Sequence, residues 1–137
     1  MKFNLNDLNP PAWFDHPNPK DPARILLRVA SASDVEEMRK KTIRREVEYR
    51  RGQRFDVERI DEELQSQLTW QWCILDWSGL YDHKNKEIPC TDENKVLLML
   101  NSPQFSKWVV DCLERLNDDN VERIESAEKN SSKSQND

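Results

Sequence analysis

Only two glycines, Gly52 and Gly79, occur in the 137 residues. Tight turns, bulges and phosphate-cradling loops need residues that take positive φ at no steric cost. So few glycines exclude a glycine-rich nucleotide loop and argue against an all-β fold with many tight turns. The expectation is a mainly α protein: a small helical domain with a short N-terminal strand or hairpin element and a disordered C-terminal tail. Proline divides the chain further. Five of the seven prolines, Pro10, Pro11, Pro17, Pro19 and Pro22, fall in residues 1–22. Proline denies both helix and central strand, so this stretch reads as an extended arm. Residues 23–117 then form the helical domain, and residues 118–137 a polar tail with too few apolar side chains to offset the entropy of ordering.

Within the domain, Ile25, Leu27 and Val29 alternate as in a half-buried strand. Ser33 and Glu36 form an S-x-x-E capping box, which predicts a helix running from there to Arg51-Gly52. Asp56 is the next expected N-cap. Val57, Ile60, Leu64 and Leu68 follow at helical spacing. Trp70 lies opposite that stripe, so either the helix stops before it or a tryptophan sits off the main face. Residues 76–90 read as an ordered loop, with Gly79 and Asn85 best suited to positive φ. Thr91 caps a leucine-rich helix, and Ser102-Pro103 starts another. Phe105, Trp108, Val109, Cys112, Leu113 and Leu116 give the best amphipathic stripe in the chain. The N-terminal pair Trp13-Phe14 reads either as an anchor on the body or as a partner-facing aromatic.

Residues 39–54 carry eight basic side chains against Glu46 and Glu48, a surplus of six in a chain whose net charge is −5. Read as a helix, the segment is charged almost all round, the pattern of a solvated surface. It suits phosphate, the acidic stretch that follows, or an acidic partner. The acidic balance overall disfavours nucleic acid. No apolar run approaches the ~20 residues of a membrane span, and residues 1–11 lack a secretory signal layout. Cys73, Cys90 and Cys112 are odd in number and widely spaced, as expected of reduced thiols. His16 and His83 lie in separate loops. His83 and Cys90 suit a metal by type but fall short of the roughly four ligands of a closed zinc site, and no nucleophile motif is present. The expectation is neither a cofactor nor a catalytic centre: the chain works by binding another protein.

The stretch Ile74-Leu75-Asp76-Trp77-Ser78-Gly79-Leu80-Tyr81-Asp82, followed by Glu87-Ile88-Pro89-Cys90-Thr91-Asp92-Glu93-Asn94-Lys95, resembles the pattern of phage tail assembly chaperones. In that pattern a Trp-x-Gly turn and an acidic loop precede an Ile-Pro pair and a Thr-x-Glu-Asn helix start. The family's loop often has a glycine where this chain has His83 to Lys86, and Asn85 can replace it. The resemblance extends more loosely over residues 12–116. It gives Asp76, Trp77, Gly79, Ile88, Pro89, Thr91 and Asn94 a structural role. It implies a protein of the bacterial host cytoplasm that binds the tape-measure protein, and possibly tail tube subunits, during tail assembly. Trp70, Trp72 and Trp77 are the expected apolar contacts, with Arg44, Arg45, Arg50 and Arg51 as a charged rim. The alternatives are a nucleic-acid-binding regulator using residues 39–54, or a structural tail or head-completion subunit. Oligomeric state is not encoded in any recognisable pattern.

Overall fold

The computed structural model describes the backbone of residues 1–135 and the side chains of residues 1–119. Five strands and four helices occur among the described residues, in the order β1 (Ala12–Asp15), β2 (Arg24–Leu27), α1 (Ala32–Thr42), β3 (Ile43–Arg50), β4 (Gln53–Ile60), α2 (Glu62–Cys73), β5 (Ile74–Ser78), α3 (Asp92–Asn101) and α4 (Pro103–Gln135). The chain is therefore mixed α/β, not mainly α. Its strands form two antiparallel sheets, β1-β2-β5 and β3-β4.

The small sheet and the last two helices make the core. Phe14 pairs with Ile25, and Ile25 with Trp77, so these three side chains share one face. Leu27 and Ile74 join them, and both are fully buried. The stripe of α4, from Phe105 through Trp108, Val109 and Cys112 to Leu116, belongs to the same cluster with Met99 of α3. Trp77 meets Phe105 edge-on at 5.8 Å, and Phe105 meets Trp108 at 6.1 Å. Such tilted aromatic pairs favour the ring quadrupoles and add to the area term. Burying Ile25 or Leu27 is worth roughly 1.5–3 kcal/mol each. The strand expected at Ile25 is present, as are the helix starts at Thr91 and Ser102. The Thr91 hydroxyl accepts from the Asn94 N–H at 3.2 Å, and the Ser102 hydroxyl from the Phe105 N–H at 3.2 Å.

Residues 31–73 depart from expectation. Helix α1 is capped by Ser31, whose hydroxyl accepts from Asp34 N–H while the Asp34 carboxylate accepts from Ser31 N–H. Two overlapping S-x-x-acid boxes compete here, and the earlier one wins. Glu36 is left to pair with Arg39 at 2.9 Å. The helix ends at Thr42, not at Arg51-Gly52. Residues 43–60, expected to be helical apart from a break near Gly52, form a β-hairpin. The second helix starts at Asp61, five residues after Asp56, with the Asp61 carboxylate accepting from Leu64 N–H at 3.2 Å. It runs through Trp70, which packs partly buried against the core. β1, in the proline-rich stretch, buries Phe14 and leaves Trp13 42% exposed. The tail expected from residue 118 lies, beyond residue 119, outside the described side chains.

Candidate partner-binding surface

The chain runs directly from α1 into β3 and from β4 into α2, so the hairpin leaves the body as an arm. Its base is closed by the Asp61 N–H donating to the Thr42 carbonyl at 2.8 Å. Thr42 itself is buried, and Arg44 pairs with Asp61 beside it. Eight residues per strand at ~3.4 Å each give an arm about 27 Å long. Opposite residues share a face. One face carries Ile43, Arg45, Val47 and Tyr49 against Ile60, Glu58, Asp56 and Arg54, and the other Arg44, Glu46, Glu48 and Arg50 against Arg59, Val57, Phe55 and Gln53. Neither face is apolar enough to bury on the body. Val47, Tyr49, Phe55 and Ile60 are exposed, Tyr49 by 73%.

Charge along the stem is matched internally. Arg59 pairs with Glu46 at 3.0 Å and also with Glu48, which turns it away from Arg44 directly opposite. At the tip the balance changes. Tyr49-Arg50-Arg51-Gly52-Gln53-Arg54-Phe55 holds three guanidinium groups and no carboxylate. Arg50 reaches back to Glu48 at 3.0 Å and Arg54 to Asp56 at 3.7 Å. Arg51 meets no carboxylate among the described residues. The two turn residues both have positive φ, 51° at Arg51 and 78° at Gly52, as in the two-residue turn whose twist suits a hairpin.

The second feature is the loop after β5. The Trp77 indole donates to the Ile88 carbonyl at 2.7 Å, and the Ile88 N–H to the Leu80 carbonyl at 2.7 Å. The Asp76 carboxylate accepts from the Trp77 N–H at 2.8 Å. Asn94 ties the helix start back to the loop by donating to the Pro89 carbonyl at 3.0 Å. Asp82 accepts from the N–H groups of Lys84 and Lys86, and Asn85 takes φ 61° in the turn so formed. Gly79, at φ 73°, packs with no room for a side chain against the Pro22 carbonyl. Asp76, Trp77, Gly79, Ile88, Pro89, Thr91 and Asn94 thus converge on one hydrogen-bonded unit.

The expected contact residues do not form one patch. Arg44, Arg45, Arg50 and Arg51 lie on the arm, in β3 and its turn. Trp77 is core. Trp70 is half-buried against the core, and Trp72 lies under Arg28, whose guanidinium sits 3.4 Å from the ring centroid. Tyr49, Arg54 and Phe55, which the sequence reading left out of the site, complete the tip. Leu97 and Leu100 are exposed on α3.

Chemistry-bearing groups are scattered. Burial raises the thiol pKa of Cys73, Cys90 and Cys112 above the ordinary 9.0, which keeps them protonated and weakly nucleophilic at neutral pH. Among the described residues no group of three or more His, Cys, Asp or Glu side chains could hold a metal ion. A cleft of about 250 Å³ lined by His16, Asp21, Leu80, Ile88, Phe105 and Trp108 falls below the usual ~300–1,000 Å³ of ligand pockets, and a hollow of about 510 Å³ beside Lys20, Pro22, Gly79 and Tyr81 is shallow and open to solvent. No described helix is long and apolar enough to cross a membrane.

A family model described as YdaY prophage protein matches residues 28–130. The chain belongs to that family. The match takes in the arm, the loop and most of α4, so both features described above lie within the shared region of this prophage protein. No curated protein and no solved structure matches the chain.

Proposed function

We propose that this prophage protein is a tail assembly chaperone: it binds the tape-measure protein in the host cytoplasm by surface contact, without a catalytic step. Membership of a prophage family and the chaperone-like pattern from Asp76 to Asn94 support the reading. The observation that carries it is the arm. Residues 43–60 are held out from the body with Val47, Tyr49, Phe55 and Ile60 exposed and none of them in the core. An element that adds nothing to its own protein's core is explained by what it touches elsewhere. Mixed apolar and charged side chains suit a partner that must be kept soluble and later released.

The test is co-expression with the tape-measure protein of the same prophage. The full chain is expected to keep it soluble. A variant with residues 44–59 replaced by a short glycine-serine linker is expected to fold but to leave it aggregated. A tape-measure protein that precipitates equally with and without the full chain defeats the proposal.

A further inference from the structure

Arg51 is in the wrong place for local stability. The first central position of this turn needs positive φ, and Asn, Asp or Gly supply it best. A longer side chain there costs on the order of 1 kcal/mol or more. Its partner Gly52 follows the rule, with open space around it. The chain thus accepts strain at the one position that sets a guanidinium at the apex. Arg50 and Arg54 flank it, Tyr49 and Phe55 stand exposed on either side, and the tip holds no acid. Strain that a better turn residue would relieve points to a use for the side chain that causes it.

We infer that the tip of the arm, with Arg51 at its apex between Arg50 and Arg54, docks on a carboxylate-bearing segment of the protein partner. The inference rests on the binding role proposed above and adds its chemistry. Guanidinium groups match carboxylates in forked, two-bond geometry, and neighbouring aromatic rings shield the pair from water. Phosphate is the competing anion, and the stem adds nothing for it: its four carboxylates, Glu46, Glu48, Asp56 and Glu58, outnumber Arg44, Arg45 and Arg59, so the positive surplus is confined to the tip. Outside residues 43–60 the chain is net −7, since the whole is −5 and the arm +2. The length of the arm, about 27 Å, sets the tip off from that charge by several times the ~8 Å Debye length. A short acidic peptide at the tip escapes it, whereas a long polyanion lying along the molecule does not.

The test uses the full chain and two labelled probes, a polyglutamate peptide and a short random-sequence DNA duplex, titrated by fluorescence anisotropy. Arg51→Asn is expected to weaken polyglutamate binding about tenfold, the scale of one lost charge-assisted contact, and to raise the melting temperature by relieving the turn. Arg45→Gln removes the same charge from the stem and is expected to change affinity less than about twofold, since solvated stem charges contribute little. Wild-type affinity in Arg51→Asn overturns the inference, as does an equal loss in Arg45→Gln or tighter binding of the duplex than of polyglutamate. The tape-measure protein takes no part in these titrations. Its failure to become soluble in co-expression therefore counts against the chaperone reading, not against the tip.

Discussion

Replacing Gly79 by alanine tests whether the loop after β5 is locked to the N-terminal stretch. Two costs add there. At φ 73° a β-carbon pays the left-handed penalty of roughly 1–2 kcal/mol. The same atom would lie 2.7 Å from the Pro22 carbonyl carbon and nearer still to its oxygen, and both are backbone atoms that cannot swing aside. Overpacking of this kind costs about 1–3 kcal/mol, so the sum is about 3 kcal/mol. Gly52→Ala is the internal reference. Its φ is 78°, but nothing lies within 4 Å of the added atom, so only the left-handed term of about 1 kcal/mol remains. For a chain of this size each kcal/mol moves the melting temperature by about 3–4 °C. Gly79→Ala is therefore expected to melt about 10 °C below the wild type, and Gly52→Ala about 3–4 °C below it. Urea titration followed by tryptophan fluorescence gives the same comparison in free energy. Equal losses in the two variants would refute the close approach to Pro22, and with it the coupling of the loop to the N-terminal stretch.

Trp77→Phe keeps most of the aromatic volume and removes the donor to the Ile88 carbonyl, so a stability loss of about 1–3 kcal/mol is expected; a change in the urea midpoint too small to measure would show that this bond does not hold the loop. Burial raises the folded-state pKa of Cys73 above 9.0. The folded state therefore binds more protons than the unfolded state above that pH, so its contribution is complete below pH 9.0 and declines as pH rises towards the folded value. Cys73→Ala should flatten the alkaline limb of a pH–stability curve, and an unchanged limb assigns the loss to other groups.

Elements whose local signal has no rival are legible in the sequence. Thr91 and Ser102 each precede a run of apolar residues and each cap the helix they announce. Asn85 and Gly79 take the positive φ expected of their residue types. Between Ser31 and Asp61 the signals overlap, and the helix expected there is a hairpin. Val57, Ile60, Leu64 and Leu68 fit a helical stripe by spacing alone, but Val57 and Ile60 point to opposite faces of the hairpin and only Leu64 and Leu68 are in α2. Such a run is ambiguous by periodicity. Scarce glycine argues against an all-β fold but not against a single hairpin: one glycine suffices when the residue before it accepts the other positive φ.

Charge spacing in the same residues fits both structures. A helix needs complementary pairs four apart, and Arg44 with Glu48, Glu46 with Arg50 and Arg54 with Glu58 supply them. In the hairpin Arg45 faces Glu58 while Arg44 faces Arg59, and Arg59 is satisfied diagonally by Glu46 and Glu48. Neither apolar nor charge spacing therefore separates hairpin from helix in this stretch. Isolated hairpins are marginal in water, and this one has no apolar face to gain stability from the body. What holds it is its base, where α1 and α2 bring Thr42 and Asp61 together. The packing of the two helices fixes where the arm starts, and the cross-strand charges fix its register. The turn itself disfavours a long side chain at residue 51, so the chain's own stability does not account for the arginines at the tip, which leaves Arg50, Arg51 and Arg54 to be set by a partner.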